Sequence, residues 1–362
     1  METKKPNEIP IYIFFAIISL CKGFDLTNNS KLYLCLYILG VIILLCKVVK
    51  DSYTIKEIVA IGILLFNSSF IFLVGHNPTP LFAVIAITCL KNVNLKNVIK
   101  VIFYTKLVSW VIMVFLSGTG FIENNFILHY RESIGMTKRF CFGYSHPNLV
   151  HIHFFNLVMM YWYLYIKDKK IIPSIIIICL NLFLYKFTIS RTSFYMINMF
   201  ILYELLFDKK LSNKVSIKKI FQYSSIIFLI TSLALALLYN YNFFVRKLDV
   251  ILTGRIFYSS ELITKHPIPL IGNLSYENFL IIDNSYFSIL YNGGIIFTLI
   301  LIYYFFKVGK YLFNKNDKDL KFFAFYCLFC SIENMFLNPV FNFTLLFFSY
   351  VLFNKKEEIL HE

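Results

Sequence analysis

Five arginines, Arg131, Arg139, Arg191, Arg246 and Arg255, stand among 35 basic residues and are placed differently from the lysines. Most lysines cluster in short segments between apolar runs, whereas every arginine falls in the alternate set of connections. A guanidinium presents a planar fork of donors that matches phosphate or carboxylate two bonds at a time, which an ammonium does not. Five of them on one side suit a polyanionic ligand such as a diphosphate, with lipid headgroup contact and ordinary loop ion pairs as the alternative for any single one. Arg191 opens an apolar run in Ser190-Arg191-Thr192-Ser193. A cation beside the free N–H groups of a helix N-terminus is a recipe for phosphate binding. Lys186 lies nearby, and no carboxylate is close in sequence.

Two residues could handle a proton. His146 precedes Pro147, and a proline at a helix start puts the histidine at the cap, where it either serves a site or satisfies the backbone. Asp283 leads Asp283-Asn284-Ser285-Tyr286 into an apolar run. An aspartate there is either an N-cap, worth about 1 kcal/mol, or an outward carboxylate placed as a general base among the arginines. His151 and His153 are two apart and point to different helix faces, so a shared metal site is not expected; one should face the bundle interior and the other pack near the outer interface. Cys327 and Cys330 have CxxC spacing on an apolar helix without a second pair, which reads as core packing. No phosphate-binding loop, dinucleotide fingerprint, nucleophile elbow or zinc-protease motif occurs, and neither metal nor cofactor is expected.

The elements that must position these residues are apolar. Of 362 residues, 58% are hydrophobic and 15% charged, with a mean hydropathy of +0.69. Apolar runs fall at 9–24, 32–49, 55–74, 77–93, 98–116, 147–166, 171–187, 190–207, 220–239, 283–306, 320–336 and 339–353. Runs near the ~20 residues needed to cross a bilayer predict an all-α polytopic integral membrane protein with about twelve transmembrane helices in a single domain over 1–362. The net charge of +15 gives no basic stripe for nucleic acid. One alternate set of connections holds 23 of the 35 basic residues, all lysine; by the positive-inside rule both termini are cytoplasmic and the arginines lie outside. The apolar N-terminus after Lys4-Lys5 lacks a small-residue cleavage site and reads as an uncleaved first span.

Two outer connections are long. The loop at 117–146 carries Arg131, Glu132, Lys138 and Arg139 and ends at Gly143-Tyr144-Ser145-His146. The larger loop, 240–282 between the ninth and tenth spans, carries Arg246, Arg255, Glu261 and His266. Its part from Arg246 to Ile263 predicts a helix lying in the membrane interface, with Phe244, Leu248, Ile251, Ile256 and Leu262 on its apolar side, before Pro267, Pro269 and Gly272 break it.

Taken in order, Gly143-Tyr144-Ser145-His146-Pro147-Asn148, Ser190-Arg191-Thr192-Ser193, Thr253-Gly254-Arg255, Pro269-Leu270-Ile271-Gly272 and Asp283-Asn284-Ser285-Tyr286 with Gly293-Gly294 resemble the pattern of Wzy-type polysaccharide repeat-unit polymerases, relatives of the O-antigen ligases. The resemblance covers 140–340 most firmly. Two departures stand out: the aromatic usual after the Gly-Arg pair is represented by Phe257 and Tyr258, and the ligases have histidine at the position of Asp283. The resemblance implies a GT-C-like fold and a metal-independent, lipid-linked glycosyltransferase in a bacterial cytoplasmic membrane. Its substrates would be undecaprenyl-diphosphate-linked glycans, joined on the outer face into capsule or O-antigen, with a chain-length regulator and a flippase as partners. Arg191 and Arg255 would then stabilise the departing diphosphate, Asp283 or His146 would take the acceptor proton, and Lys186, Arg131, Arg139 and Arg246 would be secondary diphosphate contacts. The rival readings are an O-antigen ligase, a flippase and a membrane acyltransferase.

Overall fold

A computed structural model describes residues 8–26, 30–131, 135–207, 214–272 and 282–353. By packing, the chain divides into two compact units, each built from two stretches of sequence: Met1–Lys50 with Val93–Lys210, and Asp51–Asn92 with Leu211–Glu362.

In the first unit, α1 (Ile9–Gly23) packs on α2 (Lys31–Val48) and α5 (Leu95–Gly118), and α5 packs on α6 (Pro147–Tyr165). Helices α7 (Ile171–Thr188) and α8 (Arg191–Leu202) complete it, with one π-turn (Tyr203–Phe207) continuing α8. Between α5 and α6 the chain forms an antiparallel hairpin, β1 (Phe126–Arg131) with β2 (Gly135–Phe140). This hairpin inside the 117–146 loop departs from an all-α expectation. Gly135, at φ 77°, gives the returning strand a left-handed start that other residues resist. The side chains of Arg131 and Glu132 lie outside the described residues.

The second unit holds α3 (Ile55–Gly75), α4 (Thr79–Thr88), α9 (Val215–Gln222), α10 (Ser224–Leu238), α11 (Phe243–Ile251), α12 (Arg255–Lys265), α13 (Ser285–Lys315), α14 (Asp317–Cys330) and α15 (Phe348–Leu352), the last preceded by a 3-10 turn, Phe343–Phe347. Thr54 and Glu57 form a reciprocal capping box at the start of α3, and Glu57 also pairs with Lys91 at 2.5 Å. That contact anchors the connection after α4 to the first turn of α3.

Five helices, α2, α3, α5, α7 and α13, are long and apolar enough to cross a membrane, and α9 with α10, bent by 65°, makes a sixth. The chain is therefore a largely helical, membrane-embedded protein, with fewer full-length spans among the described residues than the apolar runs suggest. The run 77–93 becomes a helix of 10 residues. The run 320–336 gives a helix of 14, about 21 Å at 1.5 Å per residue, which is short of a ~30 Å hydrocarbon layer. The run 339–353 forms a 3-10 turn and a last helical turn. Most of α6 is buried, including its polar residues His151, His153 and Asn156. Hydropathy alone does not separate such a core helix from a span.

The expected single helix from Arg246 to Ile263 is two helices. It breaks at Leu252–Gly254, where Thr253 and Gly254 both adopt left-handed backbone at φ 59° and 86°. The Asp249 carboxylate then accepts the N–H groups of Ile256 at 2.7 Å and Phe257 at 3.3 Å. It satisfies the first turn of α12 that Gly254 cannot cap.

Candidate functional site

The second unit brings together two of the expected residues that are far apart in sequence. Arg255, at the start of α12, is almost wholly buried. Its Nη2 donates to Glu333 Oε1 at 2.6 Å. Its Nη1 donates to Thr253 Oγ1 at 2.8 Å and Leu252 O at 3.1 Å. The third edge is less engaged: Nε lies 3.4 Å from Asp283 Oδ2 without hydrogen-bond alignment. The Arg255 and Glu333 side chains are 6% and 7% exposed, that of Asp283 38%. One guanidinium thus holds a buried and an accessible carboxylate, and Asp249 acts on it electrostatically from the preceding helix. Burial pushes the Asp249 carboxyl above its ordinary range, opposed by the two N–H groups it accepts and by the Arg255 charge.

Asp283 is not the cap of α13. Asn284 fills that place, its side-chain oxygen accepting Tyr286 N–H at 2.9 Å and Phe287 N–H at 3.3 Å, and Asp283 is left to face Arg255. Next to it, Ser285 Oγ donates to Glu333 O at 2.6 Å and accepts the N–H groups of Met335 and Phe336. Ser285 thereby fixes the turn that carries Glu333 against the start of α13.

The glycines of the resemblance motifs have a backbone role here. Helix α13 is broken at Gly294, at φ 80° and ψ 173°. The N–H groups of Ile295 and Ile296 bond instead to Pro269 O at 3.0 Å and Leu270 O at 3.2 Å. A Cβ on Gly294 would meet Ile271 and Gly272 backbone at 2.7 Å, and one on Gly272 would meet Asn292 O at 2.0 Å. Pro269-Leu270-Ile271-Gly272 and Gly293-Gly294 are two halves of one contact, possible only where neither backbone carries a side chain. The remaining candidate of this unit, Arg246, is exposed on α11. The stretch 273–281 lies outside the described residues.

In the first unit the candidates gather where α7 ends and α8 begins. Ile189 turns the chain in left-handed backbone at φ 48°, and α8 starts at Arg191 without a side-chain cap from Ser190. The hydroxyls of Ser190 and Ser193 are buried and make no hydrogen bond. Buried hydroxyls without partners are uncommon and call for an explanation. Arg191 is half-buried, and Lys186 is exposed on the last turn of α7. Arg139 reaches the same turn from β2, donating from Nε to Thr188 O at 2.9 Å and from Nη2 to Asn148 Oδ1. It is buried, so it ties the hairpin to the end of α7 and the start of α6. His146 caps α6, its Nδ1 accepting Asn148 N–H at 3.1 Å. His151 Nε2 and Nδ1 lie 2.7 Å from Asn181 Oδ1 and 3.1 Å from Thr188 Oγ1. His153 instead sits against the Tyr144 ring, 5.0 Å between centroids. The two histidines leave α6 in different directions, as their spacing predicts, and both are buried.

Two important residues had weaker sequence signals. Glu333 is an acidic residue in the apolar run 320–336, and an ionisable group in such a run deserves default suspicion. Asp249 carries no comparable signal, because its role depends on the break that follows it. Cys327 and Cys330 are buried in α14, where Cys327 O accepts the Tyr286 hydroxyl at 3.1 Å. Among the described residues no group of three or more His, Cys, Asp or Glu side chains could hold a metal. Comparison with protein-family models, with curated proteins and with solved structures finds no match.

Proposed function

We propose that the protein is a polymerase that joins lipid-diphosphate-linked oligosaccharide repeat units on the outer face of the cytoplasmic membrane. The observation that carries the reading is the Arg255–Asp283 pair: a buried, immobilised guanidinium with one loosely held edge beside an accessible carboxylate. In the proposed reaction the acceptor sugar hydroxyl attacks the donor's anomeric carbon, its proton passes to a carboxylate, and undecaprenyl diphosphate leaves with the bonding pair. Arg255 supplies charge for the departing diphosphate and Asp283 receives the proton. In this reading the diphosphate takes the Nε edge from Asp283, the more weakly held of the two paired carboxylates, which frees that carboxylate for the hydroxyl. The Arg191 end of α8, with its uncapped N–H groups and two unpartnered serine hydroxyls, supports a second anion contact. His146 is less suited to proton transfer through Nδ1, which is engaged with Asn148.

A transporter of the same lipid-linked units is the second reading. It is favoured by Lys106, fully buried in α5, and by the broken spans at α9–α10 and Gly294, features that transporters use at substrate sites. The test replaces Arg255 by Ala and by Lys, Arg191 by Ala and Asp283 by Asn, verifies membrane levels of each variant, and sizes the surface glycan on a gel. Collapse of the ladder to single repeat units at full expression is the expected result. Long chains in all four variants would refute the polymerase site, and loss of all surface glycan, single units included, would favour transport.

A further inference from the structure

The hairpin of β1 and β2 has its faces the opposite way round from a hairpin standing in water. Phe126 pairs with Phe140, Leu128 with Lys138 and Tyr130 with Met136, so these six side chains share one face. On the other face, Thr137 and Arg139 are buried, the latter on Thr188 and Asn148. The polar residues of β2 on that face are thus turned into the protein, with Ile127 half-buried and His129 exposed opposite them on β1, while Phe126, Leu128, Tyr130 and Met136 are 48% to 66% exposed. Antiparallel hairpins with one solvated face normally put polar residues there.

What covers this face is indicated by its continuity with a membrane span. The Phe126 ring lies 6.4 Å from Phe140, Phe140 lies 6.1 Å from Phe187, and Phe187 lies 5.1 Å from Phe183. Phe183 belongs to the exposed side of α7 with Ile172, Ile175 and Ile176, and α7 is one of the helices long and apolar enough to cross the bilayer. A row of rings therefore leads from the lipid-facing side of a span onto the open face of the hairpin. Two features fix the depth. A two-stranded hairpin has open edges whose backbone groups need hydrogen-bond partners, which excludes the hydrocarbon layer. Tyrosine and lysine are suited to the headgroup layer, and Lys138 lies with its Nζ 4.9 Å from the Phe126 ring centroid, its stem along the apolar face and its ammonium available to a phosphate.

We propose that the Phe126–Phe140 face of this hairpin is seated in the phospholipid headgroup layer where α7 ends, so that the hairpin is a membrane-surface anchor that holds Arg139 and the α7–α8 turn at a fixed depth. The inference rests on the membrane placement of α7 and not on the proposed reaction. For the test, exposed Cys35, Cys46 and Cys179 are replaced by Ser, and a single nitroxide is attached in phospholipid nanodiscs at Leu128→Cys or Met136→Cys. References are Phe183→Cys on α7 and Lys169→Cys, exposed in the connection between α6 and α7. Power-saturation measurements with oxygen and a water-soluble nickel chelate give the depth of each label. Both hairpin labels are expected to lose most of the nickel collisions seen at position 169 and to gain oxygen collisions, to a lesser extent than position 183. If both hairpin labels meet nickel as freely as position 169, the face is in water and the anchor is refuted, a result that leaves the glycan assay untouched. The two strands report independently, so misfolding of one variant does not remove the test.

Discussion

Truncating Glu333 should be among the most costly single changes in the second unit. Its Oε1 lies 2.6 Å from Arg255 Nη2, with both side chains under one-tenth exposed. At an effective dielectric of ~20 the gross attraction at that distance is ~6 kcal/mol, most of it offset by desolvation. Glu333→Ala leaves the buried guanidinium with Asp283 at 3.4 Å as its remaining close counterion, so we expect a net loss of about 2–4 kcal/mol, at the lower side of the range for orphaned buried charges. Glu333→Gln keeps an acceptor for Nη2 and should lose about half of that. The double variant Arg255→Met/Glu333→Leu removes both charges and should be more stable than Glu333→Ala alone. The assay is thermal unfolding in detergent, read by a thiol-reactive dye with exposed Cys35, Cys46 and Cys179 replaced by Ser and buried Cys21, Cys89 and Cys141 by Ala, so that buried Cys327 and Cys330 report on the helix leading to Glu333. A shift of roughly 5–10 °C is expected for Glu333→Ala. A shift within about 1 °C of the background, or a double variant that loses the sum of the two single truncations, would refute a buried ion pair at this position.

Other outcomes follow from the same geometry. Gly294→Ala forces a side chain into backbone at φ 80° with neighbours at 2.7 Å, and should cost at least about 3 kcal/mol, seen as a lower melting temperature or loss of the protein from the membrane fraction. Asp249 has a raised carboxyl pKa; its ionised form is penalised in the folded state above that pKa, and the penalty is lifted as pH falls toward the unfolded-state value. The stability of the wild-type chain relative to Asp249→Asn should therefore rise between about pH 7 and about pH 4, and a constant difference in melting temperature over that range would exclude the effect. Arg139→Ala removes the donors to Thr188 O and Asn148 and should make the hairpin more susceptible to limited proteolysis, with about 1–3 kcal/mol of destabilisation.

Membrane embedding was legible in the sequence, because backbone groups in hydrocarbon must be satisfied within a helix and ~20 apolar residues are enough to announce one. So were the helix starts at Pro147 and Arg191. Span number was not legible. Hydropathy measures how apolar a run is and does not distinguish lipid from protein as its surroundings, so buried α6 and short α4 and α14 read like spans. The hairpin escaped notice because its strands are amphipathic in the reverse sense, with the apolar face outward.

The sequence by itself determined that Arg255 and Asp283 lie on one connection, between the apolar run 220–239 and the run that starts at 283. Tertiary structure decided what they touch. The fit of Gly272 against the broken helix at Gly294 and the Ser285 bonds to the 333–336 turn are contacts between distant segments, and no local pattern specifies them. Those contacts assign the cap of α13 to Asn284 and turn Asp283 toward Arg255. They also supply Glu333, from a different apolar run, as the guanidinium's closest partner. A charged side chain's role is set by which other charges are buried with it, and burial is a property of the packed chain.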